Sequence, residues 1–418
     1  MTRSWGLVTL LGLILLLGGL LFKNGVLLAI TLPYLILALL PFWRPLPEGR
    51  WRLERKIEPE HVWGDQPCEV TLSLTYEGMA LEDAVISDVI PEGVNVTGRP
   101  FHHGMLNIGQ TETLRYTVCG IRGKYEFPGV KVQAMDLLGM GHKEEFLPCP
   151  GTLWVLPTGE NLEKVRISPR RTRVFTGVIR SRESGPGVEF FGTRAYVSGD
   201  PLRHLNWKAG ARWDLLITNL FEHERVADVG IILDARQVAE VRSNGESLFE
   251  YSVKAALSLA NYFLDEGNRV GLLVYGRFLE WTFPGYAKQQ RAKILAALTK
   301  AELADHAVFQ ELKALPTRLF HPQSQIVLVS PLLPQDIQPL RYLRALGYRL
   351  LIVSPDPIAF EKRFLPKDDY RELAEGIARL ERNAILAKLL RAGAQVVEWD
   401  VTVPLRVSMK QLPMGARR

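Results

Sequence analysis

A chain of 418 residues with 47% apolar and 23% charged side chains has globular proportions, which excludes a mainly disordered, collagen-like or coiled-coil protein. At roughly 150 residues per domain its length suggests two or three domains. Lys and Arg outnumber Asp and Glu by 51 to 45, a net charge of +6 small enough that its location matters more than its size. Cys68, Cys119 and Cys149 are odd in number with no close pair, which argues against a disulfide scaffold and suggests a reducing compartment.

Ser4 to Phe22 carries no charge and is dominated by Leu; Lys23-Asn24-Gly25 interrupts, and Val26 to Trp43 is a second uncharged run. Each run as a helix covers nearly the ~30 Å hydrocarbon core at ~1.5 Å per residue. Residues 1–45 are therefore predicted to form a transmembrane hairpin with spans at about 4–22 and 26–43. Arg3 precedes the first span, and Arg44, Arg50, Arg52, Arg55 and Lys56 follow the second. The positive-inside bias then places both termini and the soluble domains in the cytoplasm of a two-span protein of the cell membrane.

From 52 to 157 short alternating runs, such as Glu69–Tyr76, Ala84–Val89 and Thr113–Val118, are punctuated by Pro91-Glu92-Gly93 and Gly98-Arg99-Pro100. Five to seven strands without a helix predict an antiparallel, immunoglobulin-like β-sandwich. His102-His103 and the three cysteines match no closed zinc-ligand spacing, so exposed loop histidines and buried thiols are expected.

Residues 158–222 read as a basic connector followed by a dense motif. The connector, 164–182, holds Lys164, Arg166, Arg170, Arg171, Arg173, Arg180 and Arg182 and no acid. A solvated loop is the default reading of such a run. Anionic lipid, an acidic partner and nucleic acid are the functional ones, with lipid ahead of nucleic acid because no nucleic-acid reading module accompanies the charge. In the segment that follows, aromatic side chains alternate with charges around a Ser198-Gly199-Asp200-Pro201 turn. Asp200 followed by Arg203 and His204 could cap a short helical turn or pair across it, and Asp200 with His204 could serve acid–base chemistry, but no nucleophile motif accompanies them, and a structural salt-bridge knot is the plainer reading.

Glu189, Phe190, Arg194, Tyr196, Gly199, Asp200, Arg203, Trp207, Ala211 and Arg212 stand in an order that resembles the signature of the prokaryotic family called domain of unknown function 58. The likeness extends to the two N-terminal spans, to Asp88-Val-Ile-Pro-Glu-Gly93, and to Arg122-Gly-Lys-Tyr125 with Asp136-Leu-Leu-Gly139. It implies a C-terminal domain of von Willebrand factor A type. It also implies a genomic setting beside MoxR-type AAA+ ATPases and transglutaminase-like membrane proteins.

Residues 223–418 alternate strands with helices. Strands are predicted at Val229–Asp234, Arg269–Tyr275, Phe278–Phe283, Gln325–Val329, Leu350–Ser354 and Gln395–Trp399. Helices are predicted at 247–264, 288–303, 307–319, 337–346 and 370–392. This order predicts a doubly wound, mainly parallel sheet of von Willebrand factor A type. Domains of that type often hold a divalent cation through an Asp-x-Ser-x-Ser loop after the first strand. Here the loop reads Asp234-Ala-Arg236-Gln-Val238, which is degenerate for a metal, and an acid expected after the Gln325–Val329 strand would fall near Ser330. No cofactor, metal or catalytic set is expected.

The expected function is a non-enzymatic, membrane-anchored scaffold that presents a metal-free A-type domain to protein partners, with a MoxR-type AAA+ ATPase implied by the resemblance. The alternatives are a hydrolase or ligand-binding protein using the Asp200–Arg212 cluster, and an anionic-lipid or nucleic-acid binder using the basic connector.

Overall fold

The computed structural model describes residues 3–43, 49–135, 142–163, 165, 173–276, 279–304, 312, 315, 319–321, 324–366 and 369–410. Within these, the side chains of 3–4, 40–43, 82, 173–189, 191, 221–226, 279 and 369 are outside the description. The chain divides into two compact units, Met1–Leu156 and Pro157–Arg418.

The first unit opens with α1 (Arg3–Leu21) and α2 (Gly25–Trp43), joined by a turn in which Lys23 holds a φ of 47°. The helices pack closely because glycines face the partner. A Cβ on Gly12 would lie 3.1 Å from the Tyr34 Cβ, and one on Gly19 would lie 2.9 Å from Leu28. The Trp5 indole donates to the Ala38 carbonyl at 3.0 Å across the pair. Among the described residues no helix is long and apolar enough to cross a membrane. The expected transmembrane hairpin, and the two-span cell-membrane localisation built on it, are thus corrected to a helical hairpin.

Two sheets follow. One has the order β1 (Arg50–Glu58), β3 (Cys68–Glu77), β7 (Thr111–Gly120), β5 (Val94–Gly98). The other has the order β2 (His61–Trp63), β9 (His142–Leu156), β8 (Gly123–Met135), β4 (Leu81–Asp88), β6 (Phe101–Leu106). Alternating side chains of β3, namely Val70, Leu72, Leu74 and Tyr76, are all at most 1% exposed and meet Ile86, Val130 and Leu153 of the other sheet's strands in the core. The expectation of an antiparallel, immunoglobulin-like sandwich is corrected on two points. Among the described residues there are nine strands, and β2 runs parallel to β9. With three residues, β2 is too short to display an alternating pattern in the sequence. His102 and His103 lie on strand β6 and not in a loop; they pair with Glu112 at 3.5 Å and Asp83 at 2.9 Å. All three cysteines are free.

In the second unit β10 (Arg173–Ala195) and β11 (Ile217–Val226) form an antiparallel ribbon with several register shifts. Its tip, residues 196–216, holds a short 3-10 turn at Leu202–His204 and α3 (Trp207–Trp213). A six-stranded sheet follows, in the order β16 (Leu279–Gly285), β15 (Arg269–Tyr275), β12 (Asp228–Asp234), β17 (Gln325–Val329), β18 (Arg349–Pro355), β19 (Gln395–Trp399). All neighbours are parallel except the β15–β16 pair. A two-residue hairpin, β13 (Arg242–Ser243) and β14 (Glu246–Ser247), precedes α4 (Leu248–Asp265). The other helices are α5 (Ala287–Lys300), α6 (Ile337–Ala345), α7 (Pro357–Lys362), α8 (Asp369–Arg391) and α9 (Leu405–Lys410). Strands β12, β15, β17 and β18 are apolar through their middles because both of their faces are covered, one core gathering α4 and α5 and a second gathering α6 and α8. Most of the helix expected over 307–319 lies outside the described residues. The doubly wound sheet of von Willebrand factor A type is corrected to this coarser description, a mixed six-stranded sheet. The cation loop that distinguishes that type is replaced here by an arginine-centred ion cluster.

Candidate functional site

In open α/β sheets ligands sit beyond the carboxyl ends of the strands. At that edge the ends of β12 and β17 converge on one guanidinium. Arg236 donates to Asp234 through Nε (2.8 Å) and Nη2 (2.7 Å), and to Asp336 through Nη1 (2.9 Å) and Nη2 (2.8 Å). The Ser330 hydroxyl donates to Asp234 Oδ2 at 2.6 Å, and the Leu333 amide donates to Asp336 Oδ2 at 2.9 Å. Asp234, Arg236, Ser330 and Asp336 are each at most 2% exposed. Burial works against the Arg236 charge, but bonds to Asp234 and Asp336 outweigh it and hold the guanidinium protonated well above its usual range. Burial pushes the Asp336 carboxyl up, and the bond from Arg236 works against that rise.

A divalent cation needs several oxygen ligands around an open position. Here the position between the two carboxylates is filled by a covalently attached cation, so the residues do not fit a metal. Val238 stands 51% exposed and takes no part. Adding Mg²⁺ or Mn²⁺ is accordingly expected to leave the melting temperature within about 1 °C of its metal-free value, whereas a specific site would raise it with concentration.

A second ion cluster continues along the same edge. Arg382, 6% exposed, donates to Glu398 at 2.6 Å, to the Ser354 hydroxyl at 3.0 Å and to the Pro331 carbonyl at 2.9 Å. Arg379 donates to Asp356 at 2.7 Å, and Asp356 also caps α7 by accepting from the Ile358 amide at 3.0 Å. A cleft of about 430 Å³ beside β19 is walled by Asp356, Arg379, Glu398 and Asp400. Each of these four charges already has a partner, Asp400 accepting from the Thr402 amide and hydroxyl. The edge is thus bonded to itself.

The ribbon tip is the opposite case. Arg194 donates to Asp200 at 2.7 Å, and the Val197 amide donates to the other Asp200 oxygen at 3.0 Å. The Asp200 amide returns a bond to the Val197 carbonyl at 3.0 Å, and Gly199 sits between them at a φ of 107° that favours glycine. Asn206 caps α3 by accepting from the Ala209 amide at 2.9 Å and donates to Asn219 on β11 at 2.8 Å. The backbone of the tip is therefore well tied, yet its apolar side chains are not covered. Val197, Leu202, Trp207, Trp213, Leu215 and Leu216 are 53–72% exposed. Tyr196 is half-buried, and Ala211 and Arg212 are exposed on α3. The Arg203 Nε lies 3.3 Å from the His204 ring. Among the described residues Arg203, Lys208 and Arg212 have no ion-pair partner.

The amide of Val197 first, then Arg194, hold the Asp200 carboxyl below the ordinary 3.8 of an aspartate. A carboxyl with a lowered folded-state value adds stability that is complete above the ordinary value and is lost as pH falls through the depressed one. The tip turn is expected to loosen only in that acid window, which the Val197 amide resonance would report; an Asp200→Asn variant should show no such step. An engaged, low-pKa carboxylate is also a poor general acid near neutrality.

The structure thus brings together Arg194 with Asp200, and Asp234 with Arg236. Phe190 lies 61% exposed on β10 opposite Phe221, while the side chain of Glu189 is outside the description. Of the basic run, Lys164, Arg166, Arg170 and Arg171 lie outside the described residues; Arg173, Arg180 and Arg182 fall on strand β10, with Arg180 in register with Glu224. That half of the run is strand and not loop. Asp336 was not visible as a site residue because it follows the strand by seven positions, although Pro334-Gln-Asp336 is a recognisable helix start. Among the described residues no group of three His, Cys, Asp or Glu side chains is placed to hold a metal.

Residues 192–373 match the family described as "Protein of unknown function DUF58", a stretch that includes the tip and the Arg236 cluster. The uncharacterized protein YeaD of Bacillus subtilis is 25% identical over 267 residues, 61% of this chain and 63% of its own length. The chain therefore spans less than two thirds of that curated relative. Among solved structures, an Escherichia coli alpha-2-macroglobulin fragment is 14% identical with a TM-score of 0.22, covering 27% of this chain and 19% of its own. A FixG-related protein from Vibrio parahaemolyticus is 8% identical with a TM-score of 0.18, covering 25% and 95%. Likenesses this weak carry no argument about fold or function, and no catalytic family is indicated.

Proposed function

We propose that the protein is a non-catalytic docking module whose contact element is the tip of the β10–β11 ribbon. One observation carries this reading: six large apolar side chains of a single 20-residue segment stand 53–72% exposed on a backbone held by turn, cap and ribbon hydrogen bonds. A concentration of exposed large apolar side chains in one segment is the kind of surface that serves as an interaction site. The contrast with the sheet's carboxyl edge supports it, since every charged group named there is already bonded within the fold. A protein-presenting scaffold needs no more than this. Among protein partners, a MoxR-type AAA+ ATPase is the one that the motif resemblance implies.

The test is a photo-cross-linking amino acid in place of Trp207 in the full chain, irradiated in living cells. Adducts that depend on irradiation and vanish when Leu202 and Trp213 are changed to Ser support docking through the tip. A label that yields no adduct, with the protein folded and abundant, refutes it.

A further inference from the structure

We infer that the surface on which the ribbon tip docks is an anionic lipid bilayer, contacted peripherally. This rests on the docking reading above and names its partner. Three features of the tip point to lipid. Its exposed apolar residues are two Trp, three Leu and one Val, the types that partition into the headgroup and upper acyl region. Arg203, Lys208 and Arg212 are interleaved with them and, among the described residues, form no ion pair, so their charge is available to anionic headgroups. Of the tip's two acids, Asp200 is already neutralised by Arg194 at 2.7 Å, and the exposed Asp214 offsets only one of the three cations.

The same charges argue against a second copy of the chain as the occupant, because a self-complementary contact would bring the three cations against their own duplicates. A purely apolar protein groove would leave those cations desolvated without partners. A bilayer surface accommodates both kinds of side chain at once, the rings and Leu side chains entering while the cations stay at headgroup level. Strand β10 adds Arg173, Arg180 and Arg182 to the same ribbon.

The experiment uses the full chain with an environment-sensitive fluorophore on Leu202→Cys and Cys119 changed to Ser; Cys68 and Cys149 are buried. Vesicles of 30% phosphatidylglycerol in phosphatidylcholine are compared with pure phosphatidylcholine. The expected result is a blue shift on the anionic vesicles alone, which weakens steeply with salt. Trp207→Ser with Trp213→Ser should reduce the binding that gives this shift at least tenfold, and each of Arg203→Glu, Lys208→Glu and Arg212→Glu roughly fivefold or more. These side chains are exposed, so an unchanged melting curve separates lost binding from lost folding. Probing the tip in this way leaves any vesicle affinity of α1 and α2 out of the signal. A fluorophore that does not respond, or that responds equally to neutral vesicles or in the Trp variants, overturns the lipid proposal. If it does not respond while the Trp207 cross-linker captures a protein, the lipid proposal falls and the docking reading stands. If neither responds, both fall.

Discussion

Arg236→Ala is expected to destabilise the α/β unit by about 3–5 kcal/mol, the range for a buried ion cluster stripped of one partner. Asp234 and Asp336 would be left facing each other at no more than 2% exposure, without the cation that now bridges them. The loss should depend on pH with a definite sign. Burial already pushes the Asp336 carboxyl up, and removing Arg236 removes the influence that holds it down. A carboxyl with a raised folded-state value favours the folded chain at acid pH and loses that contribution as pH rises through the raised value. The deficit of the variant should therefore be smallest in acid and grow toward neutrality, as thermal melts at stepped pH would show. A triple variant, Arg236→Met with Asp234→Asn and Asp336→Asn, should recover much of the loss, because it removes the buried charges together.

An effect of similar size is expected in the sandwich from Asp88→Ala. Arg55 and Asp88 are ion-paired in the interior with side chains 1% and 0% exposed. The Arg55 guanidinium also donates to the carbonyls of Phe127 and Cys149, and the Tyr116 hydroxyl donates to Asp88 at 2.5 Å. Removing the carboxylate leaves a buried cation with only carbonyl partners and a phenol without its acceptor, at a cost of about 3–5 kcal/mol. For a unit of this size that corresponds to a drop of roughly 10–15 °C in the transition that the sandwich contributes to a calorimetric scan. Asp88→Asn should cost less, since an amide oxygen still accepts from Tyr116. A change below about 1 kcal/mol for Asp88→Ala would mean that the pair is not buried as described.

How much of this was legible follows from the range of the forces involved. Alternation in Glu69–Tyr76 and the apolar run Val229–Leu233 are local consequences of one or two covered faces, and both are strands in the structure. The Arg236 cluster was half legible. Asp234 and Arg236 are two residues apart, but Asp336 is a hundred residues away and joins them only because β17 lies beside β12. The Arg55–Asp88–Tyr116 cluster was not legible at all, since its members sit on three strands of two different sheets. The tip was legible only in part, for a different reason. Its mixture of aromatics and charges suggested a salt-bridge knot; Arg194 and Asp200 do pair, but Trp207 and Trp213 stand 68% and 72% exposed, which local pattern did not show. At the N-terminus, hydropathy alone suggested spans, whereas among the described residues no helix is long and apolar enough to cross a membrane.

The central claim is that contact is made by the tip and not by the carboxyl edge of the sheet. The most direct measurement places the same photo-cross-linker at Trp207 on the tip and, in a second variant, at Val407 beside the β19 cleft, each in the full chain in living cells. Val407 is 40% exposed and Trp207 is 68% exposed, so both labels reach the surface. Adducts from position 207, to protein or lipid, with none from 407 are the expected result. Adducts from 407 with none from 207 would contradict it.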